Sequence, residues 1–190
     1  MSYIYHRVPE NFQGDTLYPL NNLKSSHPGI YAAAIAKYDD RPYLLKVEVP
    51  PLNCLWNDVL FFIALHPTKY IEFIRSLGYG RRESSFFEIP TEYLIYEKTC
   101  VYFSEKRTYS KEDFFKYGIH QLSDFNYLPE VNKDYLMKQL VRPNQIFYPW
   151  KHVHHILYKG EINVSGLRVL SVGGGYPPEG VYTKFNTAIT

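Results

Sequence analysis

Apolar residues recur along the chain in two patterns, and the first of these predicts helices. From Tyr70 to Leu77 they recur at spacings of three and four, with Gly78 as a C-terminal stop, so a helix is predicted over residues 67–77. A less polar side marked by Val131, Tyr135, Met137 and Leu140 predicts a second helix over residues 129–140. A run of alanines favours a third helix over residues 30–38, and Ser25-Ser26 ahead of Pro28 indicates its capped start.

The second pattern, alternating or short apolar runs bounded by Pro, Gly or polar clusters, predicts strands. The predicted strands are residues 3–8, 43–49, 59–62, 86–89, 99–104, 153–158 and 167–172. Because strands and helices do not alternate regularly, their order favours an α+β fold. We expect a single domain over residues 1–172 and a flexible tail over residues 173–190, which opens with three glycines.

Composition adds an excess of aromatic residues: 19 Tyr, 12 Phe and 2 Trp, or 17% of the chain. Tyr and Trp combine an apolar ring with a polar tip, so such a surplus indicates half-buried rings at a binding cleft or stacking surface. The alternative is a small core built from rings instead of Leu. The formal charge of +2 gives no sign of the strongly basic patch typical of salt-sensitive nucleic-acid binding.

Targeting features point to the cytoplasm. No apolar run approaches the length of about 20 residues that spans a bilayer, and the N-terminus does not resemble a signal peptide, so no membrane association is expected. Cys54 and Cys100 form neither a disulfide framework nor a zinc motif, and buried thiols in a reduced compartment are expected. Delivery into a host cell without a cleaved signal would leave the same sequence features.

Two regions offer candidate binding chemistry. His6 lies in the first predicted strand, where it can hydrogen-bond a ligand hydroxyl or be a satisfied core residue, and Asn11 follows in the next loop. Within residues 50–58, Asn53 and Asn57 supply amide donors and acceptors beside the stacking face of Trp56. That mixture suits a nucleotide or base pocket. The alternative is an ordered connection that uses the Asn residues as turn formers.

A third candidate is a group of histidines on the strand predicted over residues 153–158 and just before it. His152 and His154 would face the same side of an extended strand, with His155 on the other, so a metal is conceivable. No nearby Cys or acidic ligand supports a metal. Surface or interface histidines are therefore expected, and no metal site is predicted.

Taken in order, the segments resemble the DNA ADP-ribosyltransferase toxins of toxin–antitoxin systems. Tyr5-His6 followed by Asn11 is similar to the Tyr-His pair and Asn of the family's first strand. Residues 50–62 resemble its Pro-rich loop and apolar strand, and residues 100–115 resemble the strand and charged loop that end in paired Phe. The chain also resembles uncharacterised bacterial proteins through the stretches LYPLNNLK, PPLNCLWNDVLFF and HHILYKG, a likeness that implies no activity.

The toxin resemblance implies a split, mostly antiparallel sheet with short helices and NAD as the substrate. It implies that His6 and Asn11 position the dinucleotide, that Tyr18 and Trp56 stack on its rings, and that Asn53 and Asn57 recognise polar edges. The partners it implies are a nucleotide-like small molecule and an acceptor that is a protein or single-stranded nucleic acid.

The sequence departs from the family at the catalytic Glu, where Gln145 is the expected occupant. Gln can hydrogen-bond a ribose hydroxyl, but it supplies neither a negative charge nor a base. Glu161 is the next acidic residue and falls after the strand. The sequence therefore leaves two functions open: an NAD-dependent ADP-ribosyltransferase-like toxin or effector, and a non-catalytic ligand-binding or protein-interaction module.

Overall fold

The structure, a computed structural model, describes residues 2–10, 12–78, 83–106, 109–140, 148 and 150–173. Its fold is mixed α+β, as predicted, with several small antiparallel sheets and few helices. The helices are α1 (Leu20–Ser26), α2 (Pro28–Ile35), α3 (Pro67–Ser76) and α4 (Glu130–Leu140). The strands are β1 (Tyr3–Arg7), β2 (Thr16–Leu17), β3 (Glu48–Val49), β4 (Cys54–Leu55), β5 (Leu60–Phe62), β6 (Ser84–Pro90), β7 (Thr99–Tyr102), β8 (Phe114–Phe115), β9 (His155–Tyr158), β10 (Ile162–Asn163) and β11 (Val169–Val172).

Antiparallel pairing organises these strands into two larger sheets. One has the order β1-β6-β11 and the other the order β5-β9-β7-β8, and the short pairs β2–β10 and β3–β4 stand beside them. The two larger sheets meet where Tyr5 and Ile63 exchange backbone hydrogen bonds of 2.8 and 3.0 Å. This junction sets the middle of β1 against the residue that follows β5.

The core consists of three apolar clusters spread over these sheets. The first lies around Ile4, Phe62, Ile89 and Ile156, all nearly inaccessible to solvent. The second packs α3 and α4 against Trp150, and the third surrounds Trp56 and Phe61. Phe61 and Phe62 are neighbours on β5 and enter different clusters, because successive side chains on a strand point to opposite faces.

The structure confirms the helix predicted over residues 67–77, which it shows as α3. Tyr70, Ile71 and Ile74 are buried on one face. The imidazole Nδ1 of His66 accepts the backbone N–H of Thr68 at 3.3 Å, which satisfies a free donor of the first turn. Gly78 follows the helix with φ +81°, a conformation that favours glycine.

Helix α4 is also confirmed, but its buried side differs from the predicted one. Asn132 and Leu136 are completely buried, whereas Met137, expected on the less polar side, is 45% exposed. The Asn132 side chain donates to the Lys151 carbonyl at 2.5 Å. A polar residue can occupy this core position because its amide is hydrogen-bonded there.

The strand predicted over residues 43–49 is wrong for most of its length. Pro42–Lys46 form a 3-10 turn, and only Glu48–Val49 pair as a strand, with β4. Pro42 occupies the first position of the turn, where its fixed φ and missing N–H cost nothing. Leu44 is buried while Tyr43 is 57% exposed. The alternation of buried and exposed residues here therefore arises from the 3-10 turn and not from a strand.

Helix α1 was not predicted, and it changes the start of the following helix. The sequence indicated a Ser cap before Pro28, but Ser26 ends α1, and its hydroxyl donates to the Asn22 carbonyl at 2.9 Å. His27 separates the two helices without a side-chain cap. Pro28 then begins α2, which a short 3-10 turn extends to Tyr38.

The remaining expectations concern membrane, thiols and tail. In the part of the chain that the structure describes, none of the helices combines the length and apolar character needed to cross a bilayer. Cys54 and Cys100 are free thiols; Cys100 is buried, and its burial raises its pKa to about 12. The predicted tail lies outside the described residues, except for Gly173.

Candidate functional site

Strand β1 fixes His6 in the interior of the molecule. It lies opposite Phe87 in the β1–β6 ladder and is only 3% exposed. Its Nδ1 is 2.7 Å from the Phe61 carbonyl oxygen, and its ring packs at a centroid distance of 5.4 Å from Phe62. One ring nitrogen is thus anchored to the backbone of β5.

Burial also sets the charge of His6. Removal from water lowers the pKa of its imidazole to about 4, although the hydrogen bond to Phe61 opposes the shift. The ring is therefore neutral at pH 7. Because a carbonyl can only accept, Nδ1 carries the hydrogen and donates it, which leaves Nε2 as a hydrogen-bond acceptor.

His6 lines a cleft with a volume of about 230 Å³, which we call the first cleft. Tyr18 and Asn57, two other residues selected from the sequence, line the same cleft. Its walls are largely apolar and come from helices α1 and α2, from the segment before β2 and from β5. Three candidates far apart in sequence therefore meet at one concave site.

Asn57 is held in the first cleft by a chain of side-chain hydrogen bonds. Its Nδ2 donates to Asn21 Oδ1 at 2.6 Å, and Asn21 Nδ2 donates to Asp58 Oδ1 at 2.5 Å. Asp58 Oδ2 accepts the backbone N–H of Leu55 at 2.8 Å. Asn57 Oδ1 is buried and has no hydrogen-bond partner among the described residues. A residue that lines the cleft thus carries a buried amide oxygen that is unsatisfied among the described residues.

Charged side chains lie at the edge of the first cleft. Glu10 and Lys37 line it, and Arg7 is 3.8 Å from the Glu10 carboxylate. Burial lowers the pKa of the Lys37 amine and of the Arg7 guanidinium, and the Glu10 charge opposes this for both. Among the described residues at this edge, two cations stand against one carboxylate, which gives the edge a positive balance.

The structure does not bring Asn53 into the first cleft. Asn53 is exposed and ends a 3-10 turn with φ +46°, a left-handed conformation that Asn tolerates better than most residues. Lys159 Nζ donates to its carbonyl at 3.3 Å and to the Leu52 carbonyl at 3.1 Å. Its observed role is that of a turn former. Asn11 and Gln145 lie outside the described residues.

Trp56, predicted to stack beside Asn57, instead lines a separate cavity of about 280 Å³, which we call the aromatic cavity. Its ring packs edge-on against Tyr102 and Tyr109 at centroid distances of 5.3 and 5.1 Å. The reason is local: Trp56–Asp58 form a 3-10 turn, where successive side chains point about 120° apart. Phe61 lines both cavities.

The prediction for the histidine group is wrong in its geometry. His152 has φ +60° in a turn before β9, so it does not share a strand face with His154. The His152 Nδ1 lies 2.7 Å from the Ser104 carbonyl oxygen, while His154 stacks between Phe103 and Phe125 at 4.1 and 4.5 Å. Among the described residues no three His, Cys, Asp or Glu side chains cluster as metal ligands.

Sequence reasoning missed several residues at these sites. Asn21 pairs with Asn57 across 36 positions. Asn21 and Asn22 lie within helix α1, and no local sequence pattern there predicts this contact. Arg41, Tyr102 and Tyr109 line the aromatic cavity and were not selected, whereas His155, which was selected with the histidine group, also lines it. The Tyr excess was the one general sign of such a site.

Comparison of the chain with protein-family models, with curated proteins and with solved structures finds no match. The interpretation of function therefore rests on the geometry of the two cavities.

Proposed function

We propose that the protein is an ADP-ribosyltransferase-like protein that binds NAD in the first cleft. The observation that supports this most is the meeting of His6, Tyr18 and Asn57 at one site, where the side-chain oxygen of Asn57 lacks a partner among the residues that the structure describes. A buried polar atom without a partner is costly, and a ligand donor relieves that cost.

Each side chain has a role that follows from its chemistry. His6 Nε2 accepts a ribose hydroxyl, and Asn57 Oδ1 accepts an amide or amino group of the ligand. Tyr18 supplies a ring for stacking. Trp56 and Asn53 take no part in this cleft, because the structure places them elsewhere.

The size of the first cleft fits one half of a dinucleotide. A volume of about 230 Å³ is below the range of about 300 to 1,000 Å³ typical of ligand pockets, so the cleft suits one ring with its ribose and not the whole dinucleotide. The pyrophosphate then lies at the edge, near Lys37 and Arg7, where the positive balance favours it.

The proposal includes the arrangement of the sheets. An ADP-ribosyltransferase-like fold has a split, mostly antiparallel sheet, and the two antiparallel sheets joined at Tyr5 and Ile63 are compatible with it. In that arrangement His6 on β1 lies beside the junction, between the strands that form the cleft.

A second candidate is ligand binding without transfer. In transfer, the bond between ribose C1′ and nicotinamide breaks and its electron pair leaves with nicotinamide, while a nucleophilic atom of the acceptor bonds to C1′ and loses its proton to a base. Glu10 is the one carboxylate among the described residues that line the first cleft, and its side chain is 74% exposed. Gln145, at the expected catalytic position, offers no base. The expected consequence is a site that binds NAD and transfers ADP-ribose slowly or not at all.

Release of nicotinamide from NAD separates the two candidates. If the protein transfers ADP-ribose with Glu10 as the base, Glu10→Gln lowers nicotinamide release at least tenfold, and Glu92→Gln, a change at a glutamate that does not line the first cleft, leaves it unchanged. Gln145→Ala lowers release if Gln145 holds the ribose. Saturable NAD binding without release supports the binding module, and failure of NAD to bind contradicts both.

A further inference from the structure

The aromatic cavity is independent of the proposed NAD cleft and has its own chemistry. Rings form much of its wall: Trp56, Tyr102 and Tyr109 contact one another, and Tyr43 and Tyr148 line it as well. Stacked and edge-on rings of this kind present flat faces on which another planar ring packs. The shape of the wall therefore favours a planar occupant.

The charges around the aromatic cavity decide whether that occupant is an anion or a cation. Among the described residues, Arg41, Lys106 and Lys151 line it against one carboxylate, Asp40. Asp40 is already engaged, because its Oδ2 accepts the Tyr148 hydroxyl at 2.9 Å and its Oδ1 lies 3.5 Å from Arg41 Nε. An aromatic cage for a quaternary ammonium would need the opposite balance. An anion is favoured.

Two buried polar atoms of the lining residues make no hydrogen bond in the described part of the chain: His155 Nδ1, and Arg41 Nε, which has only the 3.5 Å ion-pair contact with Asp40 Oδ1. Burial lowers the pKa of His155 to about 4, so the ring is neutral at pH 7. Its Nε2 donates to the Trp150 carbonyl at 3.2 Å, which leaves Nδ1 as an acceptor. The cavity thus offers a charged donor and a neutral acceptor.

The phenols of the cavity add donors without adding negative charge. Burial raises the pKa of Tyr109 to about 12 and that of Tyr102 further still, and the two hydroxyls interact. The guanidinium of Arg41 is held over the Tyr148 ring at 4.9 Å. These contacts fix the donors in place before any ligand arrives.

We propose that the aromatic cavity binds a small planar aromatic anion that carries a hydroxyl or amino donor away from its acidic group. The anionic oxygens lie toward Arg41 and Lys106, the ring packs against Trp56 and Tyr109, and the donor meets His155 Nδ1. Two sources have this chemistry: a hydroxylated aromatic acid, and a nucleoside monophosphate with an exocyclic amine. The volume of about 280 Å³ accommodates the acid and is tight for the nucleotide.

The chain contains two tryptophans, Trp56 and Trp150, and both line the aromatic cavity, so intrinsic fluorescence reports on this site directly. We expect saturable quenching by 4-hydroxybenzoate, at least fivefold weaker binding of uncharged 4-hydroxybenzamide, and no saturation by benzyltrimethylammonium. Adenosine 5′-monophosphate is the second probe. If it binds more tightly than 4-hydroxybenzoate, the occupant is a nucleotide.

Substitutions at exposed positions test where the probe binds without disrupting the fold. Lys106→Glu replaces an attraction by a repulsion and should weaken binding of the tighter probe about fivefold. Lys111→Glu makes the same change at an exposed lysine outside the cavity and should leave binding within twofold. Tyr43→Ala, at a ring that is 57% exposed, should weaken it about threefold.

Four results would overturn the proposal. The first three are the absence of saturable quenching by both anions at millimolar concentration, tighter binding of the ammonium compound, and equal effects of Lys106→Glu and Lys111→Glu. Nucleotide binding that Tyr18→Ala abolishes and Lys106→Glu leaves intact would also do so, because it places that ligand in the first cleft. These results are separate from the NAD test, since 4-hydroxybenzoate contains no nucleoside.

Discussion

Three buried or half-buried histidines, His6, His154 and His155, have pKa values lowered to about 4, and burial is the main cause for each. An unfolded chain holds the same groups near pKa 6.5. Between these values the unfolded state binds more protons than the folded state, so acid favours unfolding. The stability that these three histidines contribute is therefore fully present above about pH 6.5 and is lost as the pH falls toward 4.

For His6 the loss between pH 7 and pH 5 is about 2 kcal/mol. His6→Asn keeps an amide N–H that can donate to the Phe61 carbonyl and removes the titration. We expect the free energy of unfolding in urea to fall less between these two pH values in His6→Asn than in the wild type, by about that amount. Equal pH dependence in both proteins would show that His6 is not held neutral in the folded state.

The Asn57 network illustrates what a single residue contributes and what the sequence conceals. Asn57 was selected from its type and neighbours, and the structure does place it in a cleft. Its orientation depends on Asn21 and Asp58, which hold one side of the amide and leave Oδ1 unsatisfied. No local pattern specifies that arrangement, because the partner comes from a helix that tertiary packing brings alongside.

At the level of elements, Lys116 connects the edge strand β8 to the turn before β7. Its Nζ donates to the carbonyls of Tyr96, Glu97 and Thr99 at 3.2, 3.0 and 2.8 Å. The same ammonium lies 5.3 Å from the centre of the Tyr96 ring. One side chain thus satisfies three carbonyl groups at the edge of the four-stranded sheet.

Lys116→Met keeps most of the aliphatic stem and removes these charge-assisted hydrogen bonds. We expect a loss of about 1 kcal/mol in the free energy of unfolding, measured with urea at pH 7. The matched change Lys98→Met, at an exposed lysine whose ammonium has no such set of contacts, should stay within about 0.5 kcal/mol. Similar losses in both variants would show that the three carbonyl contacts contribute nothing.

Strong periodicity made some elements predictable. Helices α3 and α4 follow from their spacing, and strands β1, β6, β7, β9 and β11 from short apolar runs, with ends that differ by a few residues. Two-residue strands such as β2 and β10 have too few positions to form a pattern. The 3-10 turns at Pro42–Lys46 and Trp56–Asp58 mimic strand or loop sequences, and their three-residue repeat decides where neighbouring side chains point.

For the whole molecule, the two cavities divide the residues that the sequence grouped together. Trp56 and Asn57 are adjacent in the chain and line different sites, while Phe61 forms a wall of both. The aromatic excess is shared between a core and the aromatic cavity: Tyr70 stacks on Trp150 in the core at 4.1 Å, and Tyr102 stacks on Tyr109 in the cavity at 5.4 Å. Composition predicted the rings but could not assign them, because that assignment depends on contacts between distant segments.

Calorimetric titration of the protein with NAD tests the central proposal most directly. We expect saturable one-site binding that Tyr18→Ala weakens about tenfold, because base stacking on an aromatic ring contributes about 1 to 3 kcal/mol. Tyr93→Ala removes a ring that is 44% exposed and lines neither cavity, and it should leave the dissociation constant unchanged. Absence of NAD binding by the wild type, or equal effects of the two substitutions, would contradict an NAD site in the first cleft.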